Sequence, residues 1–202
     1  SLALLLEAEI LFLAGRYLNL RWLRVLSWPA FAFALMAAFE NGGGDAQVAG
    51  HTFDAWAFPV AIHVVTYVVN RFLRPGAAYF SYAASALAVL LIATQAPWSL
   101  KGTLLLMFSL ALFEFGIRRG LTECRIQSYL AFLAGFGLAV LAALDPHRMS
   151  ITSLSIACAS ALLYAVRTAK AGQSGRDEMA AAQTISSLAA ATLLAVLPAV
   201  AI

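Results

Sequence analysis

Residues 98–125 read WSLKGTLLLMFSLALFEFGIRRGLTECR. From Trp98 to Ile117 the run is apolar except for small polar side chains, Lys101 near its start and Glu114 near its end. It closes on Arg118, Arg119 and Gly120. Twenty helical residues at ~1.5 Å each cover the ~30 Å hydrocarbon core of a bilayer. The apolar residues are continuous rather than alternating, which excludes a strand of a transmembrane β-barrel. The stretch therefore predicts a membrane-spanning helix with a basic end.

The same pattern recurs on both sides of it. Helix 1 is predicted over Leu2–Gly15 and helix 2 over Trp22–Phe39, with Pro29 inside it. A Gly-rich external loop follows, from Asn41 to Asp54. Helix 3 is Ala55–Asn70, helix 4 Ala77–Thr94 and helix 5 Trp98–Ile117. Helix 6 is Ile126–Leu144, helix 7 Ser150–Val166 and helix 8 Met179–Ile202. Pro75-Gly76, Pro97 and Asp145-Pro146 punctuate the connections. The hydrophobic fraction is 62% and the charged fraction 11%, against about 45–50% and ~25% in soluble domains. No stretch between the runs is long enough for a soluble domain. The fold class is all-α: a polytopic transmembrane helical bundle of about eight helices, arranged as four hairpins in a single domain, 1–202.

The placement of charge sets the orientation. Of 13 Lys and Arg, 11 fall in the turns after helices 1, 3, 5 and 7, and only Lys101 and Arg148 lie at the opposite turns. Short cytoplasmic loops retain Lys and Arg, so the odd-to-even turns are expected in the cytoplasm. This placement accounts for the net charge of +3 without a nucleic-acid partner. The basic turns begin at Arg16, Arg71, Arg118 and Arg167, about one hairpin apart. Glu9 precedes Arg21 and Glu114 precedes Arg125 by similar distances, which suggests parallel repeats.

Ionisable groups inside the hydrocarbon are costly unless paired. Glu114 stands four residues before Arg118, the spacing of an intrahelical ion pair. Glu9 is expected to reach Arg21 or Arg24 across its hairpin. Glu7 and His63 have similar depth, roughly 12–13 Å from their basic turns, and a proton relay between them competes with separate structural roles. Arg16, Arg21, Arg24, Arg118, Arg119 and Arg125 form a cytoplasmic rim suited to anionic lipid headgroups. Asp45, His51 and Asp54 of the external loop have no metal-selecting spacing, and no metal or cofactor is expected. Cys124 and Cys158 are expected as free thiols. Ser153, Ser155 and Ser160 suit helix packing, and Trp22, Trp28, Trp56 and Trp98 suit interfacial anchoring.

The first apolar run has only 14 residues before Arg16, so residues upstream of Ser1 are expected to complete that helix, and the chain reads as a segment of a longer multi-pass protein. The segment Leu5-Leu6-Glu7-Ala8-Glu9, with Gly15-Arg16 and Leu20-Arg21-Trp22-Leu23-Arg24, resembles bacterial membrane proteins carrying domain of unknown function 2339. The resemblance implies a bacterial inner-membrane location and brings no catalytic residues. Three functions stay open: a scaffold or partner-binding module, with the bilayer and further membrane helices as partners; a transporter using Glu7 and His63; and a membrane enzyme acting on lipid-linked substrates. A transporter should show a mid-depth polar cavity and broken helices, for which Pro29 and Pro59 are the candidates.

Overall fold

The computed structural model describes residues 2–40, 44–48, 51–73, 78–144, 150–172 and 177–200. The fold is all-α, with eight helices among the described residues. They are α1 (Leu2–Tyr17), α2 (Arg21–Glu40), α3 (Ala57–Leu73), α4 (Ala78–Gln95), α5 (Trp98–Arg119), α6 (Thr122–Ala143), α7 (Ile151–Gly172) and α8 (Asp177–Val200). Five of them, α2, α4, α5, α6 and α7, are long and apolar enough to cross a membrane. The apolar helix α3 is one turn shorter than most of these, and α1 carries Glu7, Glu9 and Arg16 within 16 residues.

The helices extend past the basic residues that the sequence reading placed in turns. Arg21 opens α2, Arg71 lies inside α3, Arg118 and Arg119 end α5, Arg125 lies inside α6, and Arg167 and Lys170 lie inside α7. Long basic side chains carry their charge toward water while the backbone stays helical, so the first Arg does not mark the helix end. Backbone conformation does. Gly120, at φ +66°, caps α5, and the Leu121 amide reaches back to the Gly116 carbonyl at 2.9 Å, a Schellman closure. Neither proline breaks a helix. Pro59 sits in the first turn of α3, where its missing N–H costs nothing, and α2 continues through Pro29.

Part of the loop between α2 and α3 is ordered as a β-hairpin. β1 (Asp45–Val48) pairs antiparallel with β2 (His51–Asp54), in the register Asp45 to Asp54 and Val48 to His51. Each strand is four residues long, too short for alternation to stand out beside the glycines.

The chain, read from sequence as one domain, divides into two compact units, Ser1–Leu91 and Ile92–Ile202. In the first, the buried residues Leu5, Ala8, Phe12 and Gly15 form one stripe on α1. It packs on Ser27, Phe31, Ala34 and Ala38 of α2. Phe12, Phe31 and Phe80 meet edge to face, with ring centroids 5.8–6.0 Å apart. In the second unit Leu106, Phe113, Phe132, Leu154, Tyr164 and Leu193 form the centre of the core. Tyr164 stacks on Phe132 at 4.5 Å.

The first hairpins of the two units are copies of one design, related by a shift of 101 positions. Residues 1–40 and 102–141 share eleven identities, five of which (Phe12, Gly15, Arg24, Ser27 and Phe31) are neither Leu nor Ala. The backbone repeats with them. Asn19 (φ +54°) and Gly120 (φ +66°) hold the left-handed position in each hairpin turn. Each amide bonds the carbonyl three residues back, at 3.2 and 3.3 Å. Ser27 Oγ donates to the Arg24 carbonyl at 2.8 Å, and Ser128 Oγ to the Arg125 carbonyl at 2.6 Å. Arg24 is thus the counterpart of Arg125. The pairing of Glu9 with Glu114 and Arg21 with Arg125, suggested by charge spacing, is off register.

Within the second unit α5 and α6 touch backbone to backbone. A Cβ on Gly102 would lie 2.5 Å from the Ala139 amide nitrogen, and one on Gly135 would lie 2.9 Å from that of Leu106. Small residues permit such contact between helices in lipid. Gly102→Ala should therefore destabilise the protein by about 1–3 kcal/mol, since main-chain atoms have to move. Gly137→Ala, where an added Cβ meets nothing within 4 Å, should be neutral or stabilising, as expected from helix propensity. Thermal unfolding in detergent compares them, and equal stabilities would contradict the close backbone contact.

Candidate functional site

Most charged side chains within the helices lie toward one end of each unit, with Glu40 at the far end of α2 and Lys101 at the far end of α5. In the first unit the half-buried Glu9 of α1 accepts a hydrogen bond from Asn70 Nδ2 of α3, and Asn70 is itself buried. At the same end Arg16 Nη1 donates to the Leu73 carbonyl. The last carbonyls of a helix have no partner within it, so the α1 guanidinium satisfies one at the end of α3. These contacts place the α1–α2 turn and the C-terminal end of α3 together.

The second unit ties its first and third helices with a different pair. Glu114 Oε1 on α5 accepts from Arg118 Nε at 2.8 Å and from Arg167 Nη2 on α7 at 3.0 Å. The pair with Arg118 is the one the spacing predicts. Arg167 had no sequence signal, because nothing in the chain places α7 beside α5. Arg118 is 71% exposed and Arg167 45%, so the bridge to Arg167 is the less solvated of the two. Again the two basic turns of the unit share an end.

Arg125 differs from the rest of the rim. It is 6% exposed, lies against Gly116, and donates from Nη2 to Thr122 Oγ1 at 3.0 Å. A Cβ on Gly116 would stand 2.8 Å from Arg125 Cγ, and one on Gly15 would stand 2.8 Å from the Arg24 amide. Arg125 is thus a packing element rather than a headgroup ligand. Arg16, Arg21, Arg24, Arg118 and Arg119 are exposed. Beneath Arg125, the Tyr164 hydroxyl lies 3.0 Å from Ser128 Oγ. Since Ser128 donates to the Arg125 carbonyl, Tyr164 is the donor, and a chain of two bonds links α7 to the turn. Tyr164 and Ser128 escaped the sequence reading, which searched for charges. Thr168 and Ser186 similarly join α7 to α8 at 3.1 Å.

Glu7 and His63 are placed differently. Glu7 is on the exposed face of α1, whereas His63 is fully buried in α3. His63 Nδ1 lies 2.8 Å from the Pro59 carbonyl. A carbonyl only accepts, so Nδ1 carries the proton and Nε2 is left as a buried acceptor with no hydrogen-bond partner among the described residues. No hydrogen bond joins Glu7 to His63 among the described residues. Cys124 and Cys158 are both buried free thiols, and Cys124 belongs to α6 rather than to a turn. Among the described residues no three His, Cys, Asp or Glu side chains are grouped to hold a metal ion. His51 and Asp45 sit in the β-hairpin.

No family model matches the chain, and no curated protein or solved structure matches it significantly. What it does must be argued from this geometry.

A double-mutant cycle can weigh the bridge. Glu114→Gln with Arg167→Met should show a coupling of about 0.5–1 kcal/mol, the range for partly solvated pairs. The cycle with Arg118→Met should give less, about 0.3–0.5 kcal/mol, as for an exposed i,i+4 pair. Stronger coupling to Arg118 than to Arg167 would contradict a role in joining helices.

Proposed function

We propose that the chain is a non-enzymatic, membrane-embedded structural module that serves a larger envelope protein as scaffold or partner-binding part. The observation that carries this reading is the use made of the intramembrane carboxylates. Glu9 reaches Asn70 on a neighbouring helix, and Glu114 reaches Arg167 on another. A transporter or enzyme keeps its buried charges poised toward a substrate path. Here Glu9 and Glu114 tie helix to helix, and their expense is met by internal partners, while Glu7 lies on the exposed face of α1. The serines and threonines act likewise, since Thr103 Oγ1 donates to the Ser153 carbonyl of α7 at 3.1 Å.

In this proposal the basic ends of both units face the cytoplasm of a bacterial cell, with the module in the inner membrane. Supporting this are the charge asymmetry of the turns, the shared end of the basic turns within each unit, and the resemblance to the bacterial family. The bilayer and neighbouring membrane helices are its partners. The competing reading, a proton-coupled transporter, draws support from the buried, unsatisfied Nε2 of His63.

Two measurements test the proposal. Single cysteines placed at Tyr17 and at Arg119, in a variant lacking Cys124 and Cys158, should resist a membrane-impermeant maleimide in intact spheroplasts and react after permeabilisation. Labelling from outside at either position would overturn the assigned sidedness. In proteoliposomes of the unmodified protein, a proton gradient should decay no faster than in empty vesicles. Flux that Glu7→Gln or His63→Ala abolishes would replace the scaffold reading with the transporter.

A further inference from the structure

Each unit has a groove beside its second and fourth helices, and the 101-position register relates the α2 wall of one to the α6 wall of the other. In the first unit its volume is about 210 Å³ and in the second about 150 Å³. Trp28, Phe31 and Ala32 of α2 line the first, and their counterparts Tyr129, Phe132 and Leu133 of α6 line the second. Phe80 of α4 closes one side of the first, and its counterpart Ala181 of α8 closes the same side of the second. The third helix supplies a tyrosine to each, Tyr67 from α3 and Tyr164 from α7, at positions that the register does not pair, since Tyr164 corresponds to His63 and Tyr67 to Thr168.

We propose that each groove seats part of an acyl chain of an anionic phospholipid, whose headgroup lies at the basic end of the same unit. Size limits the occupant first. Pockets that take a whole small molecule run to about 300–1,000 Å³, so these volumes hold a section of a chain. A partner helix, ~10–12 Å across with its side chains, does not fit. The walls are mostly apolar and suit a hydrocarbon chain better than water, which needs two to four polar partners, and the Ser27 hydroxyl is committed to the Arg24 carbonyl.

Position and charge identify the headgroup. Trp28 lies four residues, about one turn or ~6 Å, inward from Arg24. Tyr129 lies the same distance inward from Arg125. Tyr67 stands one turn before Arg71. A chain in either groove therefore emerges at the basic end, where Arg21 and Arg24 are exposed in the first unit and Arg118 and Lys170 in the second. Basic residues at that level attract phosphate-bearing headgroups. The two copies have exchanged most of their residues, including the carboxylate that ties first to third helix. The groove survives in both, although its aromatic walls have changed from Trp28 to Tyr129 and from Phe80 to Ala181. The part that recurs in register is the wall on α2 and α6, with one position on α4 and α8.

This inference rests on the membrane setting of the proposed function, which the maleimide labelling tests separately from lipid binding. Native mass spectrometry of the full chain in detergent, with phosphatidylglycerol or phosphatidylcholine added, reads the occupancy. Two phosphatidylglycerols should be retained per chain, each preferred over phosphatidylcholine by about fivefold for each near-surface Arg. Ala32→Trp and Ala181→Trp should each remove one, and the double variant both. Arg24→Gln, which leaves the groove walls intact, should lower the preference at one site and spare the other. Quenching of Trp28 by phosphatidylglycerol brominated in its acyl chains, in a variant with Trp22, Trp56 and Trp98 changed to Phe, places the chain without filling the groove. Equal retention of the two lipids, unchanged lipid numbers in both filled variants, or equal quenching by brominated phosphatidylcholine would overturn the proposal.

Discussion

The close approach of the first two helices in each unit, at Gly15 against Arg24 and at Gly116 against Arg125, is the constraint on which the rest of the structure depends. Lipid tails are as apolar as leucine, so burying leucine against leucine gives little reason for membrane helices to associate. Close packing and polar contacts must supply it. A glycine at the end of the first helix lets the second start against its backbone. The left-handed residue four positions later, Asn19 or Gly120, then turns the chain back in a few residues. The serine that follows the arginine by three bonds its carbonyl, and the phenylalanine four residues further enters the core. Once these contacts form, the third helix has a fixed surface to join.

How the third helix joins shows what the design tolerates. In one unit a carboxylate on α1 meets an amide on α3, and in the other a carboxylate on α5 meets a guanidinium on α7. The two carboxylates are not at equivalent positions, since Glu114 corresponds to Leu13. The tether has been built twice from different residues, whereas the hairpin turn has kept its own. The cost of an unsatisfied polar group in lipid explains this freedom. Any partner that answers the carboxylate suffices, while the backbone contact at glycine accepts no substitute. The remaining polar pairs, Thr103 with Ser153 and Thr168 with Ser186, add contacts between helices of the second unit.

Much of this architecture was legible in the sequence. The apolar runs gave eight helices, because a segment in lipid has to satisfy its own backbone and so declares itself by length. The ion pair from Glu114 to Arg118 was legible because both residues lie on one helix, where spacing fixes geometry. Contacts between helices were not. Asn70, Arg167 and Tyr164 are ordinary residues until the third helix has a position, and Glu9 finds Asn70 rather than announcing it. Basic residues misled where they were used as boundaries, as Arg71, Arg125 and Arg167 all lie inside helices. The duplication was visible only dimly through charge spacing. Its true register is carried by Gly, Ser, Phe and a left-handed turn, which respond to packing and backbone conformation rather than to charge.

The central claim is that two units built on like first hairpins exist in the membrane, each with its first helix tied to its third. Cysteine pairs test it most directly, in native membranes and in a chain whose Cys124 and Cys158 have been replaced by alanine. Glu9→Cys with Asn70→Cys probes one tie, and Glu114→Cys with Arg167→Cys probes the other. A short bis-maleimide should bridge both pairs within a single chain, seen as restored connectivity after proteolysis between the helices. Failure of both pairs to bridge, or bridging only between separate chains, would contradict the account.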